Sequence, residues 1–186
     1  MRHHIPAHRL ALTALFAALT AIGAWLRIPT PWSAFTLQVL FVFLAGALLG
    51  QGYGALSQAV YVGMGLIGLP VFVRGGGPAY VLQPTFGFLL SYIPAAAVVG
   101  WLCRGKKTPG FGRIVLACLA GLAVIYAVGL PYMALIVNGY QGGGMSLRDI
   151  LRSGMAVFLP FDAVKIVLTA ALAKTLLPRL RKMQKE

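Results

Sequence analysis

The run LQVLFVFLAGALLGQGYGALSQAVYVGMGLIGL, from Leu37 to Leu69, decides how this chain is built. Its 33 residues are long for one membrane crossing and short for two ordinary ones, because a crossing takes about 20 residues at ~1.5 Å of rise each. Gln51-Gly52-Tyr53-Gly54 sits in the middle and reads as a tight turn, since glycine lets a backbone reverse at little steric cost. With a reversal the run is two helices. Without one it is a single helix, and every later loop changes sides.

Four further stretches carry enough apolar length to cross: Leu10 to Leu26, Pro84 to Cys103, Phe111 to Val137 and Gly154 to Leu177. If Leu37–Leu69 counts twice, both termini share a side with the loop Arg104–Arg113. That side then gathers Arg2, Arg9, Arg104, Lys106, Lys107, Arg113, Lys174, Arg179, Arg181, Lys182 and Lys185. Only Arg27, Arg74, Arg148 and Arg152 fall opposite. Cationic loops stay cytoplasmic, so the chain reads as an all-α integral membrane protein. The expectation is one domain over residues 1–186, with six transmembrane helices and both termini cytoplasmic. Three longer loops, Arg27–Thr36, Pro70–Gln83 and Asn138–Ser153, then lie outside, where they can cover a site open to the exterior.

Composition agrees. Of 186 residues, 59% are hydrophobic and 10% charged, against about 25% charged in soluble domains. A net charge of +13 can signal nucleic-acid binding. Here the cations flank apolar runs, so they orient the chain in a bilayer and no nucleic-acid partner is expected. The first apolar run is too long for a cleaved leader and continues into the multi-span pattern. Neither half repeats the other, which argues against an inverted-repeat carrier.

Two nucleotide-binding patterns are coincidental. Gly63-Met64-Gly65-Leu66-Ile67-Gly68 matches the dinucleotide fingerprint by letter, but it lies in an apolar span and the next acid is Asp149. A dinucleotide site needs an acid about 20 residues on. Gly100 to Lys107 imitates a phosphate-binding loop, yet Lys107 stands where a magnesium-binding Ser or Thr belongs. An ATPase would have to be another chain. Cys103 and Cys118 lack metal-ligand spacing, and His3, His4 and His8 all lie in the N-terminal tail. No metal site, cofactor or enzyme chemistry is expected.

One constellation remains. Asp162 and Lys165, in Phe158-Leu159-Pro160-Phe161-Asp162-Ala163-Val164-Lys165, share a helix face at a spacing of three. Counted from Gly154, they lie roughly 12 and 16 Å along the final span, with Pro160 placed to kink the helix just before them. Ionisable groups at such depth mark a functional site. A carboxylate accepts and an ammonium donates, so the pair complements a group with N–H donors beside a carbonyl. A cyclic urea, an amide or an amino acid would each fit.

Phe35-Thr36-Leu37-Gln38, Gly68-Leu69-Pro70-Val71-Phe72 with Gly75-Gly76-Gly77, Pro84-Thr85-Phe86-Gly87-Phe88 and Pro160-Phe161-Asp162-Ala163-Val164-Lys165 occur in one order along nearly the whole chain. In these patches the sequence resembles the BioY family, the biotin-binding subunits of energy-coupling factor (ECF) transporters. The resemblance implies a six-helix bundle with an outward pocket for biotin, in a bacterial or archaeal plasma membrane. It implies a membrane scaffold subunit and two cytoplasmic ATPases as partners, and it assigns Asp162 and Lys165 to the ureido ring. Arg74, beside the glycine run, is the candidate for the ligand's carboxylate. Gln38, Tyr80, Ser91 and Tyr92 are candidate lining. Ala14 and Ala18, four apart on the first helix, let another helix approach closely, and the resemblance assigns that helix to scaffold docking. The competing reading is a self-sufficient proton-coupled carrier, with Asp162 as its proton site.

The six-helix topology predicts that a reporter at Lys107 is reached only from the cytoplasm and one at Gly76 only from outside. Labelling of Lys107 in intact cells would reverse it.

Overall fold

A computed structural model describes residues 7–29, 34–105 and 108–183. His3, His4, Lys106 and Lys107, with Arg2, Lys185 and Glu186, lie outside the described residues, as do the side chains of Arg181 and Lys182. The chain runs through α1 (Ala7–Trp25), a short hairpin of β1 (Arg27–Pro29) and β2 (Ala34–Thr36), and α2 (Gln38–Leu66). A 3-10 turn (Pro78–Leu82), α3 (Phe86–Leu102), α4 (Phe111–Ala134), α5 (Leu147–Leu151) and α6 (Leu159–Met183) follow. Ala7–Trp25, Gln38–Leu66, Phe111–Tyr140 and Leu147–Leu180 are long and apolar enough to cross a membrane, and Phe86–Leu102 is a shorter apolar helix.

α2 reverses on itself. Gly50 has φ 82 and ψ −178, a conformation only glycine adopts freely. In a continuous helix Gln38 and Tyr61 would stand roughly 34 Å apart. Instead Gln38 Nε2 donates to Tyr61 Oη at 2.6 Å. The two halves are antiparallel, and they meet so closely that a Cβ on Gly54 would come 2.9 Å from the Gly46 Cα. The break falls one residue before the glutamine-glycine turn expected from the sequence, because Gln51–Gly54 is helical and Gly50 alone leaves the helical region.

This hairpin is the centre of the bundle. α2 packs on α1 and α3, α3 packs on α4, and α6 closes against α2 and α4. Phe43, Tyr61, Val99, Ile114 and Cys118 are fully enclosed at the core. Both cysteines are free and buried, as small apolar side chains are. Gly65 of the false dinucleotide motif lies under the Phe72 ring, and Gly100 of the false phosphate loop is helical and packs on the Gly50 turn. Neither glycine sits in a nucleotide loop.

The last helix begins later than the sequence indicated. A wide π turn, Arg152–Ala156, precedes it, and regular α geometry starts at Leu159. Pro160 therefore initiates α6 instead of kinking it, at a position where its missing N–H costs nothing. Asn138–Ser153 is likewise more ordered than a plain loop. It holds α5, opened by a capping box in which Ser146 Oγ and Asp149 exchange hydrogen bonds.

Close packing of the hairpin sets a stability expectation. A Cβ at Gly46 would meet the Ala96 carbonyl oxygen at 2.5 Å, whereas one at Gly52 meets nothing within 4 Å. Gly46→Ala should lower the thermal unfolding midpoint by several degrees in detergent, and Gly52→Ala should leave it unchanged or raise it slightly. Equal midpoints for the two variants would contradict the hairpin contact.

Candidate functional site

Asp162 lies in the first turn of α6, where the helix dipole favours an anion. Its Oδ1 accepts from Lys165 Nζ at 2.8 Å and its Oδ2 from Tyr126 Oη on α4 at 2.6 Å. Asp162 is 4% exposed and Lys165 6%. Each carboxylate oxygen thus accepts one hydrogen bond, which offsets its burial and leaves acceptor capacity on both oxygens. Lys165 keeps further N–H donors, and both residues border a cavity of about 90 Å³.

The cavity draws on every element around it. Gln38 comes from the start of α2, Arg74 and Tyr80 from the α2–α3 connection, Tyr92 from α3, and Asp162 and Lys165 from α6. Six of the expected lining residues therefore meet at one place. Ser91 does not: it is buried away from the cavity and donates to the Phe88 carbonyl at 2.6 Å. Sequence reasoning passed over Tyr126, Thr85, Ser153, Met133, Phe88 and Phe158, which also line it. Phe88 and Phe158 stood within motifs already quoted, and a hydroxyl deep in an apolar span was the available signal for Tyr126.

The α2–α3 connection and the β1–β2 hairpin close this space. Gly75 and Gly77 have φ 106 and 109, and a Cβ on Gly76 would collide with the Leu69 carbonyl. The three glycines thereby turn the loop sharply enough to present Arg74 to the cavity. Phe72 pairs with Gly75, and its ring stacks on Tyr80 at 4.6 Å. Burial pushes the Tyr80 phenol above its ordinary range, partly opposed by the Arg74 backbone and the Thr85 side chain, so its hydroxyl stays neutral. On the other side, Phe35 of the hairpin rests on Phe158 and Phe161 with centroids 5.0 and 4.1 Å away. Trp25 Nε1, at the end of α1, ties the α2–α3 connection to that helix through the Pro70 carbonyl at 3.2 Å.

Gln38 connects the cavity to this cover. It accepts from Thr36 Oγ1 at 3.1 Å and donates to Tyr61, whose hydroxyl donates to the Val71 carbonyl at 3.2 Å. On α1, Ala14 and Ala18 point outward, whereas Ala17 is buried in the core. No cluster of three or more metal-binding side chains occurs among the described residues.

The ion pair sets a testable energetic asymmetry. Removing one partner of a buried pair typically costs about 3–5 kcal/mol, while removing both charges costs far less. Lys165→Met and Asp162→Asn should each lower the thermal midpoint, and the double variant should unfold above either single. A double variant destabilised by the full sum of the two single effects would show that the pair is not coupled.

Comparison with known proteins adds independent information. The BioY family profile matches residues 1–182. A probable biotin transporter BioY of Lysinibacillus sphaericus is 44% identical over 167 residues, covering 90% of this chain and 85% of the relative. The biotin transporter BioY of Thermotoga maritima is 39% identical over 173 residues, 92% and 95% of the two chains. The crystal structure of the S-component for biotin from an ECF-type ABC transporter superposes with a TM-score of 0.79 at 25% identity, covering 98% of this chain and 95% of that one.

Proposed function

The chain belongs to the BioY family, and from that premise we propose that it is the biotin-binding S-component of an ECF-type transporter, a multi-pass protein of the plasma membrane. The observation that carries the reading is the Asp162–Lys165 pair, 2.8 Å apart and bordering a cavity. Biotin's ureido ring presents N–H donors beside a carbonyl, so Asp162 accepts from the ring and Lys165 donates to its oxygen. Tyr126 holds the carboxylate in place. Arg74 meets the valerate carboxylate, and Tyr92, Phe88 and Phe158 supply apolar walls for the fused ring. At about 90 Å³ the cavity is well below the roughly 300–1,000 Å³ of small-molecule sites. The loops carrying Phe35, Phe72 and Arg74 therefore have to part for biotin to enter.

We propose six crossings with both termini cytoplasmic. The reversal at Gly50 supports counting α2 twice. Arg9 near the start of α1 and Leu180 near the end of α6 border the same cavity as Gly50 and Arg104, which supports an even number of crossings. The biotin cavity is at the opposite end, facing out. Gly65 and Gly100 of the two nucleotide-like patterns lie in packed helices, and a membrane scaffold with two ATPases is assigned to drive the chain. Ala14 and Ala18, exposed on α1, are the proposed contact with that scaffold.

Calorimetry of the purified protein with biotin tests the site. Asp162→Asn and Lys165→Met, each eluting monodisperse, should bind biotin more than 10-fold more weakly, given the charged hydrogen bonds lost. Ala14→Trp with Ala18→Trp should keep biotin binding but end co-purification with the scaffold. Wild-type affinity in both pair variants would remove the pair from the site. Uptake by the isolated chain on a proton gradient alone would favour the carrier instead.

A further inference from the structure

A second cavity, of about 440 Å³, lies at the end of the bundle opposite the ion pair. Arg9 of α1 and Arg104 at the end of α3 border it, with the Gly50 turn as its floor. Its walls are amphiphilic: Leu12, Leu49, Leu177 and Leu180 stand beside the two guanidinium groups. The Arg9 guanidinium is held over the Tyr53 ring at 5.4 Å, which fixes its plane. Its Nε is buried without a hydrogen-bond partner, and such an orphan donor is costly unless something fills it.

No acidic side chain borders the cavity among the described residues. Among the described residues the acids are Asp149 and Asp162. Asp149 is committed to its capping box with Ser146, and Asp162 to Lys165 and Tyr126. Arg113 is likewise spent on the Leu102 and Arg104 carbonyls, each at 2.7 Å, so it closes the end of α3, and among the described residues Arg9 and Arg104 are the cations bordering the cavity. Two guanidinium groups with an uncompensated buried donor, beside leucines at the ends of apolar helices, call for a group that is anionic at its head and apolar behind it. A phosphate diester on acyl chains has that form, and a fixed guanidinium meets its oxygens through paired N–H bonds.

We propose that this cavity binds the headgroup of an anionic phospholipid, with its phosphate between Arg9 and Arg104 and its chains along Leu12 and Leu177. The purified full chain, in neutral detergent, is titrated with short-chain phosphatidylglycerol, with phosphatidylcholine and with inorganic phosphate at matched ionic strength, following thermal unfolding. Phosphatidylglycerol should stabilise with a half-saturation at least tenfold below that of phosphatidylcholine, and inorganic phosphate should give no comparable shift. Arg9→Gln with Arg104→Gln should bring the two lipids within threefold. Arg104→Gln alone, at an exposed side chain, should weaken phosphatidylglycerol at least threefold and serves if the double variant does not fold. Arg148→Gln, at the other end, should leave the preference unchanged. Equal stabilisation by both lipids, or a preference that survives Arg104→Gln, overturns the proposal. A shift from inorganic phosphate equal to that from phosphatidylglycerol assigns the site to a soluble anion and overturns the lipid.

Discussion

A carboxylate held inside an apolar bundle is costly unless hydrogen bonds engage its oxygens, and much of this protein is arranged around that demand at Asp162. The wide turn before α6 delays the helix until Leu159, so that Asp162 falls in its first turn, at the favourable end of the dipole. Lys165 follows one turn later on the same face, and α4 brings Tyr126 to the second oxygen. Satisfying the acid uses both of its oxygens but only one donor of the lysine. A polar pocket thereby appears in an otherwise apolar interior, with unused hydrogen-bonding capacity turned toward the cavity.

The cover above the pocket answers a different constraint. Loop backbone near a membrane needs its own hydrogen bonds. Here those bonds come from short local motifs: the β1–β2 hairpin, the Phe72–Gly75 bridge, and the Gly77 amide on the Gly65 carbonyl at 2.7 Å. Aromatic rings then seat these loops on the helices without covalent ties. Such contacts can part and re-form, which suits a lid better than continuous secondary structure would.

Much of the site could be read from residue type alone, because charge is rare in an apolar chain and glycine runs are conspicuous. Asp162, Lys165 and Arg74 stood out for that reason. What depends on tertiary placement did not. Tyr126 is 36 residues from Asp162 in sequence, and nothing local links them. Ser91 was grouped with Tyr92, yet adjacent residues on a helix point about 100° apart, and only Tyr92 faces the cavity. Pro160 read as a kink because the sequence does not say where a helix starts. The reversal in α2 was legible as an event but not as a position, since Gly50, Gly52 and Gly54 are equally plausible until backbone angles distinguish them.

Gly50 also acts on the parity of the chain. A membrane protein's sidedness is a running count, and each crossing inverts the address of everything after it. In the six-span arrangement a single residue with φ 82 separates an even count from an odd one. If α2 crossed once, the Arg104 loop and the Arg74 loop would exchange compartments, and the Asp162 cavity would face the other side. Within that arrangement the facing of the Asp162 cavity depends on the conformation of one glycine at the other end of the bundle.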